Sequence, residues 1–167
     1  AYQLSRAATS GHSTLAAAVG IAPAAEEIVR SLEKVYADKN VLCEFEIDPA
    51  ASFHGERGDL MELLGNLLEN AFKWCGHRVV LTARRSGPIG ARRPGLLLMV
   101  EDDGPGIAAE DVERVLQRGV RGDERVRGHG IGLAIVQDIV KAHRGELAVD
   151  RSAELGGARF TVDLVAG

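Results

Sequence analysis

Four side chains with complementary chemistry share one face of a predicted helix. Asn66, Asn70, Lys73 and Trp74 lie at i, i+4, i+7 and i+8, so a helix places them in one row. Amide oxygens suit Mg²⁺, which takes few protein ligands and otherwise keeps water and substrate phosphates. Lys73 could reach a phosphate, and Trp74 could cover a nucleobase. The alternative interpretation is an ordinary solvated face, because polar rows on helices are common.

A carboxylate and two glycines form a second candidate site. Asp102, Gly104 and Gly106 come directly after the apolar residues 96–100, which predict a buried strand. The glycines would let the backbone pass close to a flat ligand. Asp102 could accept a hydrogen bond from an exocyclic amine such as that of adenine. Taken alone, the pattern also fits an ordinary turn.

A third glycine-rich segment, residues 128–133, opens another predicted helix. Its N–H groups could bind an anion at the positive end of the helix dipole. The segment is not the dinucleotide motif, since it follows a polar loop and its glycines are spaced GxGxG, and the chain holds no P-loop. Arginines surround it, for which a solvated charged loop is the alternative; they are Arg114, Arg118, Arg121, Arg125 and Arg127.

Apolar periodicity predicts the elements that position these groups. Pro23 lies in the first turn of the first helix, Asp59 and Glu62 form a capping-box signature before the second, and Gly145 is expected to cap the last. The predicted order is a helix over 25–36, a strand over 41–47, a helix over 60–74, a hairpin of strands 79–83 and 96–100, a short helix near 110–116, a mobile loop over 118–130, a helix over 131–143, and strands over 146–150 and 159–165.

The irregular alternation of helices and hairpins favours an α+β fold, with a layer of helices on one face of a mainly antiparallel sheet. The 167 residues fit one domain, which we expect over 23–167, preceded by a tail or linker over 1–22. The composition is 46% hydrophobic and 26% charged, as in globular proteins.

Charge and cysteine content narrow the function classes. A formal net charge of −4 argues against general nucleic-acid binding, which needs a dense basic surface. Cys43 and Cys75 are too few for a disulfide framework or a zinc site, so a reducing compartment is the simpler expectation. The apolar residues 15–25 are too few to span a membrane, and no signal peptide is visible.

The motifs are more specific together than apart. NxxxNxxKW, DxGxG, a charged loop, GxGxGL and GGARF follow one another in a single order. Over residues 25–165 this order resembles the ATP-binding catalytic domain of sensor histidine kinases, a group related to the DNA gyrase B subunit, MutL and the heat-shock chaperone ATPases. Residues 65–71 and 101–107 look most like the PhoQ-type magnesium-responsive kinases. The resemblance implies a Bergerat-type two-layer α/β sandwich and makes residues 1–22 a tail or linker from a missing dimerisation domain.

The resemblance also implies roles for individual residues. Asn66 and Asn70 would hold Mg²⁺ and, with Lys73, take part in catalysis and phosphate binding. Trp74 would pack on the purine, and Asp102 would read adenine. The other implied ATP-binding residues are Gly104, Gly106, Ile107, Arg121, Gly128, His129, Gly130, Ile131, Gly132 and Leu133.

The stretch between the two glycine motifs is the implied ATP lid. Two positions depart from the family pattern. The lid's usual phenylalanine motif is reduced to Val115-Leu116, and His129 stands where PhoQ-like proteins tend to carry Gln.

The implied function is the kinase domain of a two-component sensor. It would donate the γ-phosphoryl of Mg-ATP to a histidine on the parent's separate dimerisation domain, upstream of a response regulator. The resemblance makes it the cytoplasmic domain of an inner-membrane sensor, without direct membrane or nucleic-acid contact. No histidine of this chain has an acceptor's setting, which is a following acidic residue and a nearby proline.

Two rival functions remain open. Hydrolytic relatives carry a glutamate base four residues before the metal-binding asparagine, where this chain has Asn66, while Glu69 points about 100° away around the helix. The other rival is a non-catalytic interaction module that keeps the fold.

Overall fold

The computed structural model describes residues 18–87, 95–107 and 127–164, with side chains in the last range from residue 133 onward. In chain order the elements are β1 (Val19–Gly20), α1 (Ile21–Val35), a 3-10 turn (Ala37–Lys39), β2 (Leu42–Ile47), β3 (Ser52–Phe53), α2 (Arg57–Trp74), β4 (Arg78–Ser86), β5 (Gly95–Asp102), α3 (Arg127–Ala142), β6 (Glu146–Arg151) and β7 (Ala158–Leu164).

The main sheet has five strands in the order β2-β4-β5-β7-β6. β2 pairs with β4 in parallel, and the other three pairings in this sheet are antiparallel. β1 and β3 form a separate two-stranded antiparallel ladder. The predicted mixed, mainly antiparallel sheet is therefore confirmed.

One face of the sheet carries the hydrophobic core. The register places Leu81 opposite Val100 and Val100 opposite Phe160, and all three side chains are buried. The helices cover this face, and α2 packs against α1 and α3. The apolar stripe of α2 is fully buried and comprises Leu60, Leu63, Leu64, Leu67, Leu68 and Ala71. The predicted two-layer arrangement is confirmed.

The predicted capping box is wrong. α2 begins at Arg57 rather than Leu60, and its N-cap is Glu56, whose side chain makes no cap hydrogen bond. Asp59 lies inside the first turn, where its negative charge interacts favourably with the helix dipole. The turn itself is closed by backbone hydrogen bonds from Asp59 and Leu60 N–H to the Glu56 carbonyl.

α3 also begins earlier than predicted, at Arg127 rather than Ile131, so residues 127–130 are helical and not part of a loop. Its far end differs too. Arg144, not Gly145, takes the left-handed conformation, with φ 59°. The Gly145 N–H bonds to the Val140 carbonyl at 2.8 Å and the Arg144 N–H to the Lys141 carbonyl at 3.0 Å, which is a Schellman motif.

Glycine is required at position 145 by proximity. A Cβ there would lie 2.5 Å from the Asp163 carbonyl oxygen of β7. The predicted glycine cap, Gly145, thus lies one residue after the left-handed residue, Arg144, and is required for a different reason.

The remaining predicted strands and the first helix are confirmed to within one to four residues at their ends. The predicted helix over 110–116 and residues 118–126 of the predicted loop lie outside the described residues. β1 and the first turn of α1 precede the predicted boundary at residue 23, and that boundary stays a prediction. Among the described helices, none combines the length and apolar character needed to cross a membrane.

Candidate functional site

Asp102 is the buried carboxylate at the end of β5. It is 2% exposed, and its Oδ1 accepts hydrogen bonds from the N–H groups of Gly104 at 2.8 Å and Ala158 at 3.4 Å. Within the described part of the chain no donor reaches Oδ2. The carboxylate is therefore oriented through one oxygen and keeps the other for an external donor.

Three glycines shape the pocket of this carboxylate, two because a side chain would not fit and one because its backbone is left-handed. A Cβ on Gly157 would overlap the Asp102 carbonyl and Oδ1, and a Cβ on Gly104 would overlap the Trp74 carbonyl oxygen. Gly106 has φ 76°, which favours glycine, and lies against the backbone of Gly157. The Gly157 N–H also donates to the Asp102 carbonyl at 3.1 Å. The end of β5, the end of α2 and the start of β7 therefore meet backbone to backbone.

Opposing influences act on the ionisation of Asp102. Burial raises its pKa, since a charged carboxylate loses hydration, and the charge of Asp103 acts in the same sense. The N–H groups of Gly104 and Ala158 and the positive charge of Lys39 lower it. Burial prevails, so the Asp102 pKa lies above its ordinary value.

Asp103 is a structural carboxylate. Its Oδ1 accepts from the N–H groups of Gly76, His77 and Arg78 at 2.8, 3.0 and 3.0 Å. Burial alone would raise the pKa of Asp103, but these N–H donors together lower it. Asp103 thereby attaches the segment after α2 to the end of β5.

The predicted row on α2 contains one buried amide with an unpaired oxygen. Asn70 is 6% exposed, and its Oδ1 has no hydrogen-bond partner among the described residues. Leaving such an atom unpaired costs about 1–3 kcal/mol. One turn earlier, Asn66 is half-buried and donates from Nδ2 to the Glu62 carbonyl at 2.7 Å.

At the end of the row, Lys73 and Trp74 lie beside each other. The Lys73 Nζ is 5.9 Å from the centre of the Trp74 ring, within range of a cation–π interaction. Lys73 is exposed and Trp74 is half-buried, and the Trp74 backbone carbonyl lies against the position of Gly104. The structure thus brings the α2 row and the Asp102 pocket together at the C-terminal end of α2.

Asn66 also lines a groove between α1 and α2. Its volume is about 440 Å³, and it is lined by Glu27, Ile28, Ser31, Leu32, Met61, Glu62, Gly65, Asn66 and Glu69. Burial and then the negative charge of Glu69 raise the pKa of Tyr36, at the end of α1. Glu69 therefore faces α1 and not the Asp102 pocket.

The donor set fits a cation that needs few protein ligands. The described residues hold no group of three or more His, Cys, Asp or Glu side chains able to bind a metal. Mg²⁺ is commonly held by one or two protein oxygens together with substrate phosphates and water. The unpaired Asn70 Oδ1 meets that requirement.

The other predicted site residues are placed unevenly. Ile107 is partly buried against the core, and Leu133 is 1% exposed within the core. Gly128, His129, Gly130, Ile131 and Gly132 lie in the first turns of α3, where only the backbone is described. Arg121 lies outside the described residues.

The sequence interpretation missed four residues that shape the site, Lys39, Asp103, Gly157 and Ala158. GGARF was noted as a motif, and that signal could have located Gly157 and Ala158. Lys39 offered no local signal, because its contacts are 33 and 34 residues away.

Comparison with known proteins gives a consistent family. The sequence model described as "Histidine kinase-, DNA gyrase B-, and HSP90-like ATPase" matches residues 55–166. The two-component sensor PhoQ of Pseudomonas aeruginosa is 44% identical over 162 residues, covering 96% of this chain and 34% of that protein. The sensor protein PhoQ of Escherichia coli K12 is 37% identical, covering 96% and 32%. The chain thus spans about a third of the length of these relatives.

Solved structures agree with the sequence relatives. The mycobacterial sensor histidine kinase MprB superimposes with a TM-score of 0.72 at 26% identity, over 90% of this chain and 97% of that one. Full-length ShkA in complex with AMPPNP superimposes with a TM-score of 0.71 at 26% identity, over 90% and 31%. The sequence matches and the structural similarity agree, and the chain belongs to the histidine kinase-, DNA gyrase B- and HSP90-like ATPase family.

Proposed function

We propose that this chain binds Mg-ATP and acts as the kinase domain of a PhoQ-like sensor histidine kinase. The observation that carries the proposal is the buried Asp102 carboxylate, oriented through Oδ1 inside a pocket of glycine backbones. Its free Oδ2 suits the exocyclic amine of adenine. The AMPPNP complex of the structurally similar ShkA supports a nucleotide as the ligand.

The α2 row extends from the base pocket toward the phosphates. Trp74 packs on the purine, and Lys73 contacts a phosphate oxygen. Asn70 Oδ1, buried without a protein partner, is the first candidate ligand for Mg²⁺, and Asn66 is the second. The metal, when bound, neutralises charge on the transferring phosphoryl group. The chain's own residues bind and orient the nucleotide, which is most of what phosphoryl transfer requires.

Transfer to histidine is favoured over hydrolysis by the composition of α2. Position 66 is an amide, which is too weakly basic to take a proton from water, and its Nδ2 donates to the Glu62 carbonyl. Glu69 faces α1 near Tyr36. General-base assistance is typically worth about 10²–10⁴-fold in rate, and these residues do not supply it.

The implied partners follow from this chemistry. The acceptor is a histidine on the dimerisation domain of the same parent protein, whose nitrogen attacks the γ-phosphorus as the bond to the β-phosphate oxygen breaks and ADP leaves. A downstream response regulator then receives the phosphoryl group. The parent is inferred to be an inner-membrane sensor with this domain in the cytoplasm.

One mixing experiment tests the proposal. The chain is incubated with γ-labelled ATP, with and without the parent's dimerisation domain, and labelled protein and free phosphate are both measured. We expect label on the dimerisation domain alone and very slow phosphate release. Rapid phosphate release without transfer would favour the hydrolase, and no nucleotide binding at all would favour the non-catalytic module.

In the same experiment, the Asn70→Ala variant tests whether Asn70 binds Mg²⁺. It should fold, because it removes an unpaired buried oxygen and introduces the better helix former. We expect Mg²⁺ no longer to strengthen its ATP binding and transfer to be lost. An undiminished effect of Mg²⁺ on ATP affinity would remove Asn70 from the metal site.

A further inference from the structure

The C-terminal end of α2 is terminated by two charged side chains from distant parts of the chain. In a continuing helix, the N–H groups of Gly76 and His77 would bond to the carbonyls of Phe72 and Lys73. Both N–H groups donate instead to the Asp103 carboxylate. The last helical bond in this register runs from Cys75 N–H to the Ala71 carbonyl at 2.9 Å.

Lys39 binds the two backbone carbonyls of α2 that lack these helical N–H donors. Its Nζ donates to the Phe72 carbonyl at 2.8 Å and to the Lys73 carbonyl at 2.9 Å. An ammonium at a helix C-terminus also opposes the negative end of the helix dipole. Lys39 and Asp103 therefore divide the donors and acceptors of the helix end between them.

The 3-10 turn that carries Lys39 is itself fixed to the same region. Leu42 N–H donates to the His77 carbonyl at 2.7 Å, and the His77 Nδ1 lies 3.4 Å from the Lys39 carbonyl. Asn40, directly after Lys39, takes a left-handed conformation with φ 51°. This geometry directs the Lys39 side chain across the end of α2.

The carbonyls that Lys39 holds lie beside the proposed nucleotide contacts. Lys73 and Trp74 are the last two residues of α2, and the Trp74 carbonyl is in close contact with the position of Gly104. The charge of Lys39 also acts on Asp102. Lys39 thus acts on both parts of the site, the end of α2 and the Asp102 pocket.

We propose that Lys39 is a positioning residue of the nucleotide site, fixing the end of α2 against the Asp102 pocket. This inference rests on the proposed ATP-binding function. Lys39 contacts neither base nor phosphate in this role. Its effect passes through the Phe72 and Lys73 carbonyls and through its charge.

The charge contribution predicts a pH dependence. Among the described residues, the groups acting on Asp102 are the Asp103 carboxylate, which raises its pKa, and Lys39, which lowers it, while the nearby Cys75 thiol is kept protonated chiefly by burial. Removing Lys39 therefore raises the pKa of Asp102 further. At a pH near these values, the protonated fraction of Asp102 is larger in the variant than in the unmutated chain.

The experiment compares ATP affinity in the unmutated chain, Lys39→Gln and Lys39→Arg across pH 5.5 to 8. At each pH we divide the dissociation constant of the variant by that of the unmutated chain. Because ATP titrates identically in both measurements, its own titration cancels in this ratio. For Lys39→Gln, which keeps N–H donors without charge, we expect a ratio of roughly threefold to tenfold at pH 8. The ratio should grow as the pH falls, because Asp102 loses its charge at a higher pH in the variant. Lys39→Arg should stay near one throughout.

Lys34→Gln is the matched control, because it removes one exposed lysine from the last turn of α1. Its ratio should remain near one at all pH values. A Lys39→Gln ratio that is raised but does not change with pH would overturn the electrostatic part and leave a purely structural cap. A ratio near one at every pH would overturn the whole inference, whereas failure of the unmutated chain to bind ATP would instead overturn the proposed function.

Discussion

At the scale of single residues, Asp102 makes the most specific prediction. Asp102→Asn should weaken ATP binding strongly, because the amide can present its NH₂ toward the adenine amine, so that two donors face each other. The unmutated chain should bind GTP poorly, since the guanine carbonyl would face the carboxylate. Titration of both nucleotides against both proteins provides the measurement. Equal affinity of the unmutated chain for ATP and GTP would contradict the adenine-reading role.

Two glycines of the same region form a matched pair. Gly104→Ala should destabilise the fold by about 1–3 kcal/mol and reduce ATP affinity, because the new methyl group overlaps the Trp74 carbonyl and forces the backbone apart. Gly65→Ala should stabilise by about 0.5–1 kcal/mol, since it lies within α2 and its Cβ would meet nothing within 4 Å. Urea unfolding of both variants measures the difference. Equal effects at the two positions would refute the close-contact explanation.

The residues predictable from sequence were those with local spacing. Asn66, Asn70, Lys73 and Trp74 share a helix period, and Asp102 stands beside its glycines, so the pattern brought them into one candidate site. Lys39 and Asp103 were not predictable, because each acts on a helix end that is distant in sequence. Spacing within one element indicates which face a residue lies on. It does not indicate which side chain, distant in sequence, contacts that element.

At the scale of elements, the contact between the start of α2 and the end of α3 predicts a pH effect on stability. His143 Nε2 lies 3.8 Å from Asp59 Oδ2, and its ring packs on Phe53 with centres 4.9 Å apart. Burial lowers the pKa of His143 despite the nearby carboxylate. The unfolded chain therefore binds this proton more readily than the folded one.

The free energy of unfolding should accordingly fall as the pH drops below about 6.5, the ordinary histidine value, toward the lower folded pKa. The contribution is fully present above that ordinary value. For one proton the slope is at most about 1.4 kcal/mol per pH unit. Comparing the unmutated chain with His143→Gln by urea unfolding at pH 7.5 and 5.5 isolates it. If both proteins lose the same stability on acidification, His143 is not responsible.

Element type was predictable, whereas the ends of elements were not. The apolar period located α1, α2 and α3, but each helix starts three or four residues earlier than predicted. At Glu56 the turn is closed by backbone bonds without a side-chain cap, and at Gly145 the requirement comes from the neighbouring strand β7. A capping signature in the local sequence predicts neither the backbone-closed turn nor the contact with β7.

At the scale of the whole molecule, the layers followed from the alternation of helices and hairpins, but the strand order did not. β4 and β5 are neighbours in sequence and pair as a hairpin. β2 pairs with β4 and β5 with β7, and each of these pairings spans intervening helix. Apolar alternation in β2 predicts a strand without naming its partner or its direction.

The parallel pairing of β2 with β4 also has a consequence for the order in which the chain folds. The β4–β5 and β6–β7 pairs join strands that are close in sequence, whereas the β2–β4 ladder closes only across β3 and the whole of α2. Closing that long loop costs chain entropy before any contact repays it. β2 is therefore expected to dock after the β4–β5 hairpin has formed, and until it does, Val79, Val80 and Leu81 stand on an open strand edge that a second unfolded chain can occupy. Aggregation during refolding would begin at this edge.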